Sequence, residues 1–576
     1  MDYLAVDFGT TNSIAAILTD DRQFIPITFE NGSPIFPSSA FIQMKESSAV
    51  PITREKIKAR FYHEKQREEA RKRNQLDEVE LRLAEFARAN KPKVKKPRPV
   101  DFLASGPKAF NNAMQTYARD LEDLDRRVRD FEEFDLPKER ARLLSEIVSE
   151  RTDTEILRQV EILLSREELE RRSAELREFY FFNAIDSGDF QVLLGHKAID
   201  AYVTDPLSGF FLRSPKAFLA STLAREYQFA FVKIIGFILR TLKERAEALR
   251  GTQFSGVVLG RPVEYLGAND EVGNSRALNI MTEAARLAGF TEVRFVFEPL
   301  AAALVSPGDW YRSGATAVVI DIGGGTSDIA ALNALGNDRN SVEVLSVKGR
   351  RVGGNDLDQA FAFQEIGPSI GKEALLKGGM TTPSQLINWA LSTRDIIAQN
   401  NFRNAGDQIA ELQKKCIDPI PIGRLLQTYR DQLQHRILLS SEEAKVKLSD
   451  SEIRNLHYDL NLAYFEEGFE LRVTQASLKS SWESELGKLK GLVKECLVQG
   501  GITDRPVWAY FTGGLSLSPL VRESLTSVLP ANSLVKRLNA FRAVVAGLSY
   551  VARDLSRSGS PADEPHEVRG ISVMRA

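Results

Sequence analysis

The chain has 576 residues, of which 43% are apolar and 27% are charged, with a formal net charge of −2. A single hydrophobic core does not grow to this size, so we expect at least two domains or lobes. The near-neutral charge gives no reason to expect a whole-chain nucleic-acid or membrane binder. Because Cys416 and Cys496 are the only cysteines and no secretory signal follows Met1, we expect neither disulfides nor a cysteine metal cluster, and a cytoplasmic location.

A hairpin is predicted at the N-terminus, where apolar and β-branched residues from Tyr3 to Leu18 flank a Gly/Thr turn. The first strand carries Asp7 close to its end. The turn that follows contains Gly9, Thr10, Thr11 and Asn12. A carboxylate at a strand tip next to such a turn is typical of a site that binds a metal and a phosphate.

Residues 48–189 differ in composition and are predicted to form a charged helical insertion. Lys, Arg and Glu dominate residues 54–88, residues 91–99 form a basic, proline-rich linker, and apolar residues recur at helical spacing in 108–178. The linker either binds an acidic partner such as nucleic acid or is a solvated loop, and the composition favours the loop. No residue of the insertion is expected to carry chemistry.

Strands and helices alternate after residue 190, which is typical of a layered α/β fold with ligands at strand ends. Lys216 follows a proline in an apolar setting and is either a phosphate-binding lysine or a surface lysine at a helix start. Glu298 lies where a strand gives way to a helix. It serves either a functional site or the helix dipole, and the local sequence leaves both open.

The segment from Ala317 to Ala330 has the most informative pattern in the chain. An apolar run ends at Asp321, and a second apolar run begins after Asp328. Between them lie Gly323, Gly324, Gly325 and Thr326. The carboxylate suits a metal and the turn amides suit a phosphate, so the segment predicts half of a metal-nucleotide site. Its likeness to the Asp7 turn predicts a duplicated fold that closes on one ligand.

Three weaker motifs follow. Gly353 and Gly354 form a turn that opens a helix and is expected to present free amides to an anion. Glu442, Lys445 and Ser449 share one face of a predicted helix, and Gly513-Gly514 follows a predicted strand. A helix is predicted at 540–548, and the polar tail from about residue 554 is expected to be disordered.

In their order along the chain, these motifs resemble the phosphate, connecting and adenosine motifs of the actin-like ATPases. They are most similar to the nucleotide-binding domain of the seventy-kilodalton heat-shock (DnaK-type) chaperones, and in particular to truncated, YegD-like members. The resemblance covers about residues 1–45 and 190–552. It implies an α/β fold of two ribonuclease-H-like lobes around a nucleotide cleft, with lobe I at 1–47 and 190–315, lobe II at 316–538, a crossing helix at 539–553 and a tail at 554–576.

The resemblance also implies roles for individual residues. Those that would order Mg²⁺ and its waters are Asp7, Asp321 and Glu298. Lys216 and Thr326 would position the attacked phosphate of ATP, in a slow hydrolysis in which Glu298 and Asp321 also take part. Backbone amides of Gly9 to Asn12 and Gly323 to Thr326 would hold phosphates of ATP or ADP. The residues that would contact adenosine are Glu442, Lys445, Ser449, Gly353, Gly354, Gly513 and Gly514.

The chain departs from the family at Leu517, where an adenine-stacking Arg is usual, and at Phe541, where an Asp is common. No peptide-binding domain is expected after residue 553. Two functions follow as hypotheses: a chaperone-like ATPase whose lobe closure acts on a protein partner through the insertion, or an actin-like assembly protein that uses ATP as a cofactor. Neither nucleic acid nor membrane is expected as a partner.

Overall fold

The structure is a computed structural model that describes residues 2–29, 32–45, 53–95, 99–146, 151–178, 181–265, 271–306, 310, 315–335, 342–449, 457–558, 566–568 and 571–575. The chain divides into two compact units, one formed by residues 1–48 and 171–576 and the other by residues 49–170. Among the described residues, no helix has the length and hydropathy needed to cross a membrane.

The strands are β1 (Tyr3–Phe8), β2 (Asn12–Leu18), β3 (Phe24–Pro26), β4 (Phe36–Pro37), β5 (Ser39–Met44), β6 (Phe190–Leu194), β7 (Gly209–Arg213), β8 (Gly256–Arg261), β9 (Glu292–Phe297), β10 (Thr316–Ile322), β11 (Ser327–Ala334), β12 (Val342–Arg350), β13 (His457–Asn461), β14 (Glu470–Thr474), β15 (Trp508–Thr512), β16 (Leu534–Arg537), β17 (His566–Val568) and β18 (Ile571–Arg575).

The α-helices are α1 (Arg54–Asn90), α2 (Pro99–Asp130), α3 (Leu136–Ser145), α4 (Asp153–Glu178), α5 (Phe181–Ala184), α6 (His196–Thr204), α7 (Arg225–Arg250), α8 (Glu271–Leu287), α9 (Glu298–Leu304), α10 (Gly354–Phe361), α11 (Ser384–Leu391), α12 (Ile396–Arg403), α13 (Gly406–Lys415), α14 (Ile420–Arg430), α15 (Gln434–Ser449), α16 (Gln475–Ser481), α17 (Glu483–Gln499), α18 (Pro519–Thr526) and α19 (Ala543–Ser558).

Two mixed sheets of the larger unit repeat one strand order. The first contains the run β3-β2-β1-β8-β9, and the second is β12-β11-β10-β15-β16. In each, the two hairpin pairings are antiparallel and the last two pairings are parallel. The chain is therefore a mixed α/β protein in which the hairpins around Asp7 and Asp321 occupy equivalent places. The predicted lobe boundaries remain a prediction.

Helices α9 and α19 share a hydrophobic cluster with both sheets. The cluster includes Ala5 and Val258 of the first sheet and Val319 and Leu332 of the second. The two helices approach closely at Gly547, where a Cβ atom would lie 1.8 Å from the carbonyl oxygen of Ala301. This packing couples the two sheets on which the sequence motifs lie.

The C-terminal residues differ from the disordered tail predicted from residue 554. Helix α19 continues to Ser558, and β17 and β18 follow. Strand β18 pairs antiparallel with β9, with Met574 opposite Phe295. The described parts of the tail therefore differ from the prediction, because pairing with the edge of a distant strand leaves no local sequence pattern; residues 559–565 and 569–570 lie outside the described residues.

The smaller unit consists of α1 to α3 and most of α4. It has a small apolar cluster of Val79, Leu83 and Leu143, with Leu136 packed against it. Elsewhere in the unit, ion pairs such as Arg60 of α1 with Glu167 of α4 (3.0 Å) link the helices, and surface pairs of this kind add little stability. Part of the predicted basic linker, residues 96–98, lies outside the described residues.

Candidate functional site

The turns after β1 and β10 lie against each other. A Cβ atom on Gly324 would be 2.0 Å from Oγ1 of Thr11, and one on Gly325 would be 2.8 Å from Cγ2 of Thr10. Real Cβ atoms do not approach other atoms this closely, so the two turns can meet only because these positions are glycine. The duplicated hairpins thus bring their predicted phosphate turns together.

The turns also offer backbone donors. Within the described chain, the N–H groups of Thr10, Thr11, Gly324 and Gly325 donate to no protein acceptor. In contrast, the Gly323 N–H donates to the carbonyl oxygen of Thr326 at 2.9 Å and closes the second turn. Adjacent N–H groups without acceptors form a concavity that suits an anion.

The third glycine turn is different from the prediction. Gly354 and Asn355 donate their N–H groups to the carbonyl oxygens of Gly323 and Gly324, at 3.0 and 2.8 Å, and Gly353 donates to Oδ2 of Asp356 at 2.8 Å. The expectation of free amides at this turn was therefore wrong. Its donors instead hold the second phosphate turn in position, and a Cβ on Gly353 would lie 2.7 Å from the backbone of Gly324.

Four carboxylates lie at the strand ends next to the turns. Glu298, Asp321 and Asp328 are buried, with 2% to 9% of each residue exposed, and Asp7 is half-buried. Strands β1, β8 and β9 are parallel, so their carboxyl ends share one edge of the sheet. A Cβ on Gly260 of β8 would be 3.1 Å from Cγ of Glu298 and 3.6 Å from Oδ1 of Asp7.

Asp321 and Asp328 face each other across the β10–β11 pairing. Oδ1 of Asp328 accepts a 2.7 Å hydrogen bond from the N–H of Val263. A Cβ on Gly513, whose φ is 79°, would lie 2.5 Å from Oδ1 of Asp321. Gly513 therefore leaves room for this carboxylate.

Lys216 lies among the carboxylates. It belongs to a short 3-10 turn, Pro215–Phe218, which follows β7 and an Ser214 with φ of 61°. Its Nζ atom is 2.6 Å from Oε1 of Glu298 and 5.9 Å from the centre of the Tyr265 ring. The buried lysine is thus held towards the strand ends, and the surface-lysine explanation does not apply.

Burial and mutual repulsion dominate the electrostatics of this cluster. Burial and the negative charge of Glu298 raise the pKa of Asp7 to about 7 and that of Asp328 to about 8, and they hold the pKa of Asp321 well above its usual range. Burial alone would lower the pKa of Lys216, but the charges of Glu298, Tyr265 and Asp7 outweigh it and raise that pKa. The site therefore favours an additional cation.

Among the described residues, no three His, Cys, Asp or Glu side chains are arranged to hold a metal ion between them. The assignment of Asp7, Glu298 and Asp321 to a metal therefore stays a prediction.

The predicted adenosine face lies on α15 and is partly occupied by ion pairs. Glu442 is 2.5 Å from Nη2 of Arg213, and Lys445 is 2.8 Å from Oδ2 of Asp358. The Oγ atom of Ser449 is buried and has no partner in the described chain. Burial would raise the pKa of Glu442, but Arg213 and Lys445 together lower it, so this carboxylate is ionised.

The Gly513-Gly514 turn meets an aromatic ring. A Cβ on Gly514 would be 3.3 Å from the ring of Phe541. Leu517, by contrast, is 43% exposed. Thr512, just before the turn, has a buried Oγ1 without a partner in the described chain. Both departures from the family pattern therefore lie at or next to this glycine turn.

Sequence reasoning missed two functional candidates. Asp328 was noted in its motif but was given no role, although it is 2% exposed and shares the carboxylate cluster. Tyr265 is 1% exposed, and its hydroxyl has no partner in the described chain. The signal for Tyr265 was its place just after Arg261 and Pro262, at the end of the buried strand β8.

An aromatic cavity of about 220 Å³ lies elsewhere in the larger unit. Residues from β7, α7, α11 and α15 line it, among them Phe211, Phe231, Trp389 and His435. Burial lowers the pKa of His435 to about 3, so this side chain is neutral. The cavity walls include neither the glycine turns nor the carboxylate cluster.

A sequence model of the family described as "Hsp70 protein" matches residues 212–366. The matched segment contains Lys216, Glu298, Asp321 and the turns at Gly323 and Gly353. Residues 212–366 are therefore similar to the Hsp70 family.

Individual relatives agree with the Hsp70 match. The chain is similar to "Chaperone protein HscA homolog" of Laribacter hongkongensis (strain HLHK9), at 30% identity over 216 residues, or 34% of this chain and 32% of that protein. It is similar to the protein of the same name from Chromobacterium violaceum, at 38% identity over 155 residues, or 27% and 22% of the two chains. The chain therefore spans about a third or less of the length of these curated relatives.

Proposed function

We propose that this chain is an ATP-binding, Mg²⁺-dependent and slowly ATP-hydrolysing protein of the DnaK type. Its fold would be the actin-like ATPase fold, with two lobes that close on the nucleotide and act on a protein partner. The observation that carries the proposal is the meeting of two equivalent glycine turns next to Lys216 and four carboxylates. In the described chain, four amides of these turns have no acceptor.

The phosphate end of the proposed site has the groups that phosphoryl transfer requires. The amides of Thr10, Thr11, Gly324 and Gly325 would hold phosphate oxygens, and Thr326 would lie beside them. Lys216, oriented by Glu298, would place a positive charge at the attacked phosphate. Such chemistry depends mainly on positioning and charge neutralisation.

Residues for a metal are also available. Asp7, Asp321 and Glu298 would hold the waters of a bound Mg²⁺, and Asp328 would add negative charge nearby. Mg²⁺ would supply charge neutralisation for the phosphates. The raised pKa of Asp7, about 7, fits this assignment, because a nearby cation would favour its ionised form.

The part of the proposed site that would bind adenosine is less open than the part that would bind the phosphates. The face formed by Glu442, Lys445 and Ser449 would contact the nucleoside, with the unpartnered hydroxyl of Ser449 available to it. Gly514 would lie beside the base, where the Phe541 ring already makes contact. We propose that adenosine adds less affinity here than the phosphates do, because Leu517 offers no guanidinium for stacking.

Single-turnover ATP hydrolysis by the full chain tests the function. The Asp321→Asn variant should bind ATP but lose about 10²–10³-fold in rate, since one preorganised group of the site is removed. Asp459→Asn is the matched control, because Asp459 is exposed and pairs with Arg472 on β14. Equal rates for both variants and the parent would overturn the assignment. Nucleotide-dependent pelleting without hydrolysis would instead favour the actin-like assembly protein.

A further inference from the structure

Helix α2 of the smaller unit carries an apolar stripe with regular spacing. The stripe, called the α2 stripe below, consists of Met114, Tyr117, Leu121, Leu124 and Val128. Successive members are separated by three, four, three and four residues. None of them is buried, and Leu121 is 43% exposed. Four of the five side chains are half-buried and Leu121 is exposed, and an apolar helix face that is only partly covered indicates a surface that packs against something else.

Among the described residues, the apolar cluster of the smaller unit includes no residue of this stripe. The apolar cluster of the unit comes from α1 and α3 and contains Val79, Leu83 and Leu143, with Leu136 against it. Phe131, which extends the same spacing beyond α2, is buried and stacks on Phe86 at 6.1 Å. The first apolar residue of this spacing that packs against α1 is thus Phe131, directly after the end of α2.

We propose that the α2 stripe pairs with the α2 stripe of a second copy of this chain, as an antiparallel two-stranded coiled coil. An alternating separation of three and four residues averages 3.5, which keeps a seam facing a partner helix when two helices supercoil. A groove on an unrelated surface does not require this strict repeat.

The charges beside the stripe favour antiparallel pairing. Asp120 and Arg127 occupy equivalent flanking positions, each one residue before a stripe residue. If Leu121 of one copy packs against Leu124 of the other, Asp120 faces Arg127 of the other copy, and the two-fold axis repeats this pair. In a parallel arrangement Asp120 would face Asp125 instead, which is repulsive.

The existing contacts of Arg127 allow this pairing. Its Nε atom is 3.4 Å from Asp123 one turn away, and both side chains are 43% exposed. Exposed ion pairs of this spacing contribute only about 0.3–0.5 kcal/mol. A contact of Arg127 across the dimer can therefore replace its pair with Asp123. The proposal does not depend on nucleotide binding and would stand if the chain bound no ATP.

Analytical ultracentrifugation of the full chain over a wide concentration range tests the pairing. We expect a concentration-dependent species of twice the 64.3 kDa of one chain. Leu121→Glu should abolish it. Leu81→Glu, at a 62% exposed position of α1 outside the stripe, should leave it unchanged. A parent chain that remains monomeric at every concentration would overturn the proposal. This holds even if the stripe binds a different protein and Leu121→Glu weakens that binding.

Charge exchange tests the orientation. Asp120→Arg and Arg127→Asp should each weaken the dimer, because each places like charges opposite one another, and the double variant should restore it. If Asp120→Arg strengthened the dimer, the helices would run parallel and the proposed geometry would be wrong. Circular dichroism of each variant at concentrations below dimerisation checks that the helices still form.

Discussion

The Nζ atom of Lys216 lies 2.6 Å from Oε1 of Glu298, and both side chains are buried. The lysine follows β7 and the glutamate begins α9, so the contact links two segments that are distant in sequence. Each charge compensates the burial of the other. The same pair points the ammonium group towards the strand ends that carry Asp7 and Asp321.

Replacing Lys216 should affect both stability and activity. Lys216→Ala leaves Glu298 buried without its partner, which typically costs about 3–5 kcal/mol in the free energy of unfolding. The double variant Lys216→Ala with Glu298→Ala should lose less stability than the sum of the losses in the two single variants. Lys216→Ala and the double variant should both be inactive in ATP hydrolysis. Urea unfolding and single-turnover hydrolysis separate the two effects. Parent-like hydrolysis by a folded Lys216→Ala protein would remove Lys216 from the site.

The carboxylate cluster predicts a pH dependence. The pKa values of Asp7 and Asp328, about 7 and about 8, are above that of an unfolded aspartate. The folded state therefore binds these protons more tightly. The stability they contribute is fully present below the unfolded pKa and is lost as the pH rises through the folded values.

The melting temperature of the nucleotide-free chain should accordingly fall as the pH rises from about 6 to about 9. Asp328→Asn should flatten this decline because it removes one titrating group. Asp459→Asn serves as the control, since Arg472 lowers the pKa of this exposed carboxylate. A parent melting temperature that rises over this interval would contradict the charge crowding inferred for the cluster.

Gly324→Ala should separate the two turns. The new methyl group would lie 2.0 Å from Oγ1 of Thr11, so the turns must move apart, at a cost of about 1–3 kcal/mol for overpacking. Nucleotide affinity should fall, because the amides of both turns no longer converge. Gly487→Ala in α17 is the control, since no heavy atom lies within 4 Å of its new Cβ. Equal affinity for the two variants would show that the turns do not act together.

Leu517→Arg should strengthen nucleotide binding. Leu517 is 43% exposed and close to the Gly513-Gly514 turn, so a guanidinium there can lie over a bound base. A stacking contribution of about 0.5–1 kcal/mol corresponds to roughly two- to fivefold in affinity. Leu534→Arg, at an exposed position of β16, controls for the added charge. An equal gain in both variants would indicate a general electrostatic effect.

The sequence was most informative where structure is local. The hairpins around Asp7 and Asp321 follow from apolar runs and glycine turns, and the structure confirms both hairpins. Contacts between residues that are distant along the chain could not be predicted from the sequence. The N–H groups of Gly354 and Asn355 donate to the carbonyl oxygens of Gly323 and Gly324. No local sequence pattern predicts these hydrogen bonds.

The same reason explains two other differences. Tyr265 reaches Lys216 only because β8 lies parallel to β1, and strand order is not visible in a single strand. The tail was predicted to be disordered from its polarity, whereas β18 pairs with β9. Backbone hydrogen bonds to a sheet edge do not require apolar side chains.

Isothermal titration calorimetry of the full chain with ATP, with and without Mg²⁺, tests the proposed nucleotide site most directly. We expect one molecule of ATP to bind per chain, with clearly higher affinity when Mg²⁺ is present, and Gly324→Ala to weaken it while Gly487→Ala does not. No heat of binding for ATP under either condition, from a chain that is folded by circular dichroism, would contradict the proposed function.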